Sequence, residues 1–567
     1  MAHKNQRRQK VRATAGAQAG LALDQPQVAV FVEGSTDTIA TRVQFEDSDP
    51  RELWVGRRPL ADHLRDTGMG WVLAVREFMR QRDWAQFEAG YKGGGRPAAH
   101  PSVILSLALF GIMNGQTSLR DLETLARVDV RVWWLTGGAM PDHSAIGRFL
   151  NRHAVLITES FFEDLTRAVV RLLGDADGTI ATDATVVQAA SARLGTIKQE
   201  AARQAAAEAN AKAEAMPQDE RLAAKAELAR EVAQTAEKRS AERKVKGRTN
   251  IDAPVSPLEP EATVQPMKNG QVAPSYQACI AADRNRVIVA QKVESSSEPA
   301  AVPHLVEQAG RVMDGPVTTV LGDGRYNTGG LHELAQNKGF ELLAPASSTD
   351  QSAKGGKYFG KDRFAYDRDA DCYRCPAGRI LIRHRAHSDA KGRQIIDYRA
   401  PDCAQCPFIE QCIRGNNNRT ICRYEHEHAK EDLAAKMTQP EVKGRYGRRQ
   451  VMVEPVFAET KLIQGLTRFR RRRARGVALE HSLHCCAHNL RRALRIKIPS
   501  TRRGAKGTGP NGVSRRHTES IRRYHSRIWR KQRCTICAPT SWCSPRLTGV
   551  ARRSSTANRV CSAFRAV

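Results

Sequence analysis

The sequence predicts an α/β protein in which an all-helical domain precedes a domain built on a mixed five-stranded sheet. Apolar residues recur at helical spacing from Leu60 to about Leu173. From Gly178 onward the period shortens to β-branched runs separated by helical stretches. Two of those runs carry a lone acid: Asp183 inside TIATDATVVQAA and Asp323 at the end of VTTVLGDGRYN.

Taken in order, residues 1–50 mix Gln, Ala, Gly and Asp without sustained periodicity and are expected to form a flexible basic arm. Residues 60–175 form the helical domain. Val72, Val75 and Phe78 mark one helix and Val103 to Phe110 a fuller apolar one, with the Gly/Pro loop YKGGGRPAAHPS between them. Residues 176–350 hold the first part of the sheet domain. Within it, residues 191–246 are rich in Ala, Glu, Lys and Arg, a composition of high helix propensity, and predict a projecting helical hairpin broken near Pro217. A β-hairpin follows over Tyr276–Glu294, turning at Arg284 to Arg286, then a helix over Ala300–Met313, the strand before Asp323, and a short strand at ELLAPAS. That order suits a mixed sheet covered by helices. Residues 351–430 are Cys-rich, 431–496 read as two further helices, and 497–567 as a disordered basic tail.

Composition narrows the partners. Lys and Arg number 90 against 60 Asp and Glu, a formal charge of +30 with a pI near 10.0, which favours a polyanion: nucleic acid first, an anionic membrane surface second. The most apolar run, Val103–Met113, falls short of the roughly 20 residues of a membrane-spanning helix. The basic N-terminus leads into no apolar stretch of the kind that directs secretion. The expected location is therefore the cytoplasm, in association with the nucleoid, and no membrane partner is expected. In that reducing setting the 13 cysteines are thiols or metal ligands rather than a disulfide framework.

Paired acids on strands suit metal-assisted phosphoryl transfer, which needs oxygen ligands for two divalent ions roughly 3.5 to 4 Å apart. An acid in a buried strand carries a desolvation cost that metal coordination would explain; an Asp bonded to backbone amides is the alternative for Asp183, and an ordinary Asp-Gly turn for Asp323. A third acid comes from YGRRQVMVEPVFAETKLIQGLTRF. In a helix Tyr446 and Arg449 share a face, as do Glu454 and Lys461. Pro455 disfavours helical geometry at Glu454, which is expected at a kink or at the start of a second helix, with Glu459 as the weaker alternative.

TDAT around Asp183, GDGRY around Asp323 and the series Tyr446, Arg449, Glu454, Lys461 resemble the DDE transposases of bacterial insertion sequences, in the branch with a Y-R-E-K signature. HPSVILSLALFGIMNGQTSLRDLE with WWLTGGAMPDHSAIGRF is similar to that branch's helical N-terminal domain, and LEHSLHCCAHNLRRAL to its closing helix; the resemblance spans roughly Gly70 to Arg495. It implies an RNase H-like catalytic fold, with Asp183, Asp323 and Glu454 as catalytic ligands of Mg²⁺ or Mn²⁺. It further implies Tyr446, Arg449 and Lys461 on the phosphates of the transposon end, with Arg448 as the alternative to Arg449 because four residues rather than the signature's usual three separate Arg449 from Glu454; double-stranded DNA (terminal inverted repeats and target) as partner; and a homodimer that pairs the ends. The implied reaction is phosphodiester hydrolysis at the element's boundary, then attack of the freed 3′ hydroxyl on target DNA. The alternative is an inactive relic that only binds DNA.

Several features lie outside the acid series. Cys372, Cys375, Cys403 and Cys406 form two C-x-x-C pairs suited to tetrahedral zinc, with metal-free reduced thiols as the other reading. RFRRRRARG places Arg468, Arg470, Arg471, Arg472 and Arg473 in one run; a solvated face is the plain reading, but such like charges favour DNA phosphates. SLRDLETLARVDVRVWWL with DHSAIGRFLNRH offers a helix-turn-helix, against a plain bundle. His100 and His143 are read as structural. From Lys497 the chain has 17 Lys and Arg and one acid, Glu519, without periodicity: a DNA-binding extension or, favoured by its Cys and Trp, sequence read past a frameshift.

Overall fold

Caps and prolines set the helix boundaries of the N-terminal region. The computed structural model describes residues 45–497 except 47–48, 92–96, 175, 193, 246, 268–269, 347–357, 390–391 and 414–417. The expected arm up to residue 44 and the tail beyond 497 lie outside the described residues. A two-residue hairpin, β1 (Trp54–Val55) and β2 (Arg58–Pro59), leads into α1 (Leu60–Asp66), α2 (Trp71–Arg80) and α3 (Ala85–Glu88). Helix α4 (Pro101–Met113) opens with proline, whose missing N–H costs nothing in a first turn, and His100 Nδ1 accepts the Ser102 amide. Ser118, Asp129 and Asp142 cap α5 (Leu119–Val128), α6 (Val130–Thr136) and α7 (His143–Arg152) by accepting amides of the first turn. Helix α8 (Ala154–Leu156) and a π-turn run into α9 (Phe162–Leu173).

The sheet is built from β3 (Thr179–Gln188), β4 (Thr263–Pro266), β5 (Val272–Ala282), β6 (Ile288–Glu294), β7 (Thr319–Leu321) and β8 (Glu341–Leu343). Along the path β6-β5-β3-β7-β8, β5 runs antiparallel to both β6 and β3, and β3, β7 and β8 are parallel, the strand order and directions of an RNase H-like sheet. A sixth strand not anticipated from sequence, the short β4, shares the outer edge of β5 with β6, pairing Thr263–Pro266 with Ser275–Val272. Between β3 and β4, α10 (Gln199–Ala215) and α11 (Glu220–Val245) form a hairpin that turns at Pro217 and keeps a small core of its own around Ala202, Val232, Ala236 and Val255. Helix α12 (Val302–Val312) returns from β6 to β7, and α13 (Gly329–Lys338) joins β7 to β8.

Residues 365–424 form a second, wholly antiparallel sheet where the sequence showed only cysteines. Its strands β9 (Ala365–Asp367), β10 (Cys372–Arg374), β11 (Ile380–Ser388), β12 (Gln394–Arg399) and β13 (Thr420–Tyr424) lie in chain order, with α14 (Ile409–Cys412) in the last connection. Helices α15 (Glu427–Lys436), α16 (Pro440–Leu462) and α17 (Arg473–Lys497) complete the chain. Helix α17 packs on α4, α9 and β6, so the helical region and the sheet share one continuous hydrophobic core from Leu60 to Leu494. That sharing accounts for α4, whose residues from Val103 to Met113 are all buried: it is a central helix, and no described helix is long and apolar enough to cross a membrane.

Candidate active site and nucleic-acid interface

Strand register brings the two aspartates together. Parallel pairing sets Thr179, Ile180 and Ala181 of β3 against Thr319, Val320 and Leu321 of β7, and Asp183 and Asp323 each lie two residues beyond the last pair. Adjacent strands are about 4.8 Å apart, so both carboxylates emerge side by side at the carboxyl end of β7, where ligands collect in open α/β sheets. Asp183 Oδ1 accepts the amide of Ala184 at 2.9 Å, and Asp323 Oδ1 caps the following turn through the Arg325 amide at 2.8 Å. Gly322 is required here by close approach: a Cβ would come within 2.6 Å of the Tyr326 side chain, which folds back over it.

The third acid at this point is Glu298, at the start of the turn after β6. One oxygen each from Asp183, Glu298 and Asp323 lie within 4.8 Å of one another. Glu298 is buried, and desolvation pushes its carboxyl up, opposed chiefly by the guanidinium of Arg325, whose Nη1 donates to Oε1 at 2.8 Å; Asp323 and Asp183 add to the upward push. The Tyr326 hydroxyl is buried without a partner close by, its acidity lowered by burial and by Cys279, Glu298 and the two aspartates. Sequence reading missed Glu298 because SSSEPAA has the appearance of an ordinary helix start; only the path of β6 beside β5 carries it to Asp183.

Helix α16 crosses these strand ends. Arg445 holds it there through Thr319 Oγ1 at 3.1 Å and an ion pair with Glu341. Arg449 Nη2 lies 3.1 Å from Asp183 Oδ2, and its Nε is buried with no acceptor; Arg448 is exposed. Tyr446 is half-buried, its hydroxyl pushed up by burial and by Asp323 and Asp183, with Arg449 acting against them. Helix α16 runs unbroken through Glu454 and Pro455, so no second helix starts there; the acceptor that Pro455 leaves unpaired, the carbonyl of Val451, belongs to an exposed residue. At 100° per residue Glu454 is about 140° around the helix from Arg449. Accordingly Glu454 is exposed and stands outside the three-carboxylate group, and Lys461 is half-exposed on the last turn. Glu459 faces α17, with His488 Nδ1 at 3.3 Å and Arg491 at 3.8 Å.

The arginine run is largely woven into the fold. Arg468 donates to the Ser191 carbonyl and pairs in β fashion with Gln188, Arg471 reaches Asn151, and Arg473 joins Glu231 and Glu261. Arg470 and Arg472 are exposed, Arg472 touching the Ala190 carbonyl at 3.3 Å, and they line an open cleft of about 800 Å³ with Arg468 and Arg471. Of the four expected zinc thiols, Cys375, Cys403 and Cys406 line one small pocket, while Cys372 lies outside it on β10 and Cys412 takes the fourth place. His100 bonds Glu88 and His143 bonds Glu123, both as structural side chains.

Comparison with known families bears on this arrangement. Residues 374–494 match the family described as transposase DDE domain, and residues 70–152 match the transposase domain DUF772. Both matches are to transposase domains and support an insertion-sequence DDE transposase. No curated protein matches it in sequence. The DDE match begins at Arg374, beyond both aspartates, and includes α16 and most of α17; the sheet that holds Asp183 and Asp323 is RNase H-like by its topology.

Proposed function

We propose that this transposase cleaves phosphodiester bonds at the ends of its own element and joins the freed 3′ hydroxyls to target DNA, with Asp183, Asp323 and Glu454 as its catalytic carboxylates and the Tyr446, Arg449, Lys461 series of the Y-R-E-K branch as its phosphate contacts. The observation that supports this most is the β3–β7 register, which sets Asp183 beside Asp323 under Arg449. Carboxylate oxygens gathered within 4.8 Å suit a hard divalent cation such as Mg²⁺ or Mn²⁺. Asp183 and Asp323 would hold it, with Glu454 joining; bound there, it supplies Lewis-acid activation of water and charge stabilisation at the leaving oxygen.

The chain's own groups account for the rest. Arg449 neutralises Asp183 in the DNA-free state and is placed to turn to a scissile phosphate, whose oxygens accept from a guanidinium in a fork. Tyr446 offers a hydroxyl donor on the same helix face. Water oxygen bonds to phosphorus, the bond from phosphorus to the 3′ oxygen breaks, and a 3′ hydroxyl and 5′ phosphate result; in the second step that hydroxyl attacks a target phosphate in the same manner. Glu454 stands outside the group in the DNA-free chain, and a movement of α16 that brings it in would be favoured by DNA on Arg449 and Tyr446, which withdraws Arg449 from Asp183. Two copies would hold the two ends.

The test is to incubate the protein and Mg²⁺ with a plasmid carrying the gene's flanking DNA and to map 3′ ends for the native chain and for Asp183→Ala, Asp323→Ala and Glu454→Ala. Cuts at the element's boundaries that vanish in all three support the reading. Binding without cutting by the native chain leaves a DNA-binding protein, and cuts that survive Glu454→Ala but not Glu298→Ala transfer the third role to Glu298.

A further inference from the structure

The antiparallel sheet of β9 to β13 is small, and its connections meet in a cluster of cysteines that the DNA chemistry does not use. We propose that Cys375, Cys403, Cys406 and Cys412 bind one structural Zn²⁺ ion, which staples the turn after β10 to the loop between β12 and β13. Spacing alone pairs Cys372 with Cys375, but the fold separates them. Cys372 is paired with Asp367 inside the β9–β10 ladder, while Cys375 lies past the strand end in a turn closed by the Gly378 amide on the Cys375 carbonyl. Cys403 and Cys406 flank a second turn, in which the Cys406 amide donates to the Cys403 carbonyl and the Ile409 amide to that of Cys406; α14 then delivers Cys412 to the same place. Cys422, the remaining cysteine of this region, lies on β13 opposite Asp397.

The four thiols line one enclosed pocket of about 20 Å³, room for a single small sphere. The rest of its wall is apolar or cationic: Phe364, Leu381 and Ile409, with Arg379 and Arg419. Arg379 ties the two turns together by donating to the carbonyls of Asp402 and Gln405. Arg419 donates to the carbonyls of Cys412 and Phe359, and its Nε is buried with no acceptor at all. An orphaned guanidinium N–H beside four thiols is explained by negative charge in the pocket, which is what arises when each thiol gives up its proton to solvent and four thiolates surround Zn²⁺ with a net charge of −2. Zn–S bonds of about 2.3 Å set sulfurs about 3.8 Å apart. Among the described residues only the three carboxylates form a group of three or more donor atoms mutually within 4.8 Å, so no three of these sulfurs are yet that close; side-chain rotation would bring them together around the ion. The geometry favours zinc over Mg²⁺ because sulfur ligands are soft, and the closed four-ligand set leaves no open position for catalysis.

The full-length protein purified without added chelator should contain about one zinc per chain by elemental analysis. Cys372→Ser and Cys422→Ser should keep that content, and Cys403→Ser and Cys412→Ser should lose it. Replacement of zinc by Co²⁺ in the native chain should give the visible bands of a tetrahedral four-thiolate site. Since a variant could fail to fold, thiol alkylation of the native protein, mapped by peptide mass, provides an independent readout: Cys375, Cys403, Cys406 and Cys412 should be protected together and become reactive together when EDTA is added. A metal-free chain whose four thiols alkylate at rates unaffected by EDTA, or zinc retained in Cys412→Ser and lost in Cys372→Ser, overturns the proposal.

Discussion

Glu298 and Gly322 show how single residues set the geometry around the aspartates. Glu298 is buried against Asp183 and Asp323, with one ion pair, to Arg325, on its outer side. Glu298→Gln keeps the shape and removes the charge; it is expected to lower boundary cleavage about 10- to 100-fold while leaving DNA affinity in a gel-shift assay unchanged. An unaltered cleavage rate would mean that Glu298 has no part in holding the group. Gly322→Ala forces a Cβ to within 2.6 Å of Tyr326 and is expected to cost about 1–3 kcal/mol in denaturant unfolding as well as cleavage, because the turn that aims Asp323 must shift. Arg449 was legible in the sequence as a cation three residues after Tyr446; that it rests on Asp183 was not, since helix phase does not say which strand a helix crosses.

At the scale of the element, α17 carries a pH liability. His481 and His484 are fully buried on it, bonded to the Cys279 carbonyl and to Gln464, and desolvation pushes them down to about 4 and about 3 from 6.5. The unfolded chain takes up protons near pH 6.5 that the folded chain refuses, so stability is complete above that pH and falls as the medium is acidified. Each histidine contributes a loss of about 2 kcal/mol between pH 6.5 and pH 5. Asp283, in the β5–β6 turn, acts in the opposite sense: burial pushes its carboxyl up to about 6 from 3.8, so the folded chain holds that proton and loses stability as pH rises through this window. Thermal melts should therefore show a net loss on acidification, steeper in Asp283→Asn and shallower in His484→Gln. A flat profile in the native chain would contradict both. Helix α16 illustrates a different limit on sequence reading, because Pro455 predicted a break that tertiary contacts on Met452, Val453 and Val456 override.

For the whole molecule the governing quantity is charge. A formal charge of +30 predicts DNA affinity that falls steeply with salt, about 0.9 log units per log unit of salt for each phosphate neutralised. Arg473 and Arg468 are engaged with the fold, so the run contributes less to binding than its length suggests. Arg470→Ala with Arg472→Ala should reduce the salt slope by about 1–2 units without altering the melting temperature. The same double change at a run of fully structural arginines would lower the melting temperature and leave the slope alone, and fluorescence anisotropy over a salt series distinguishes the two.

By itself, the sequence determined what depends on local periodicity and residue type: a helical region followed by a mixed sheet, a strand with Asp183, a turn with Asp323, a basic balance, and the motif series of a DDE transposase. The parallel alignment of β3 with β7, the convergence of Glu298, the outward phase of Glu454 and the exchange of Cys372 for Cys412 at the thiol pocket were decided only by tertiary structure. The reason is physical. Propensity and hydrophobic period act over a few residues, whereas the pairing of Thr179 with Thr319 and the meeting of Glu298 with Asp183 join residues far apart in the chain, and their alignment is chosen by how the shared core closes around α4 and α17.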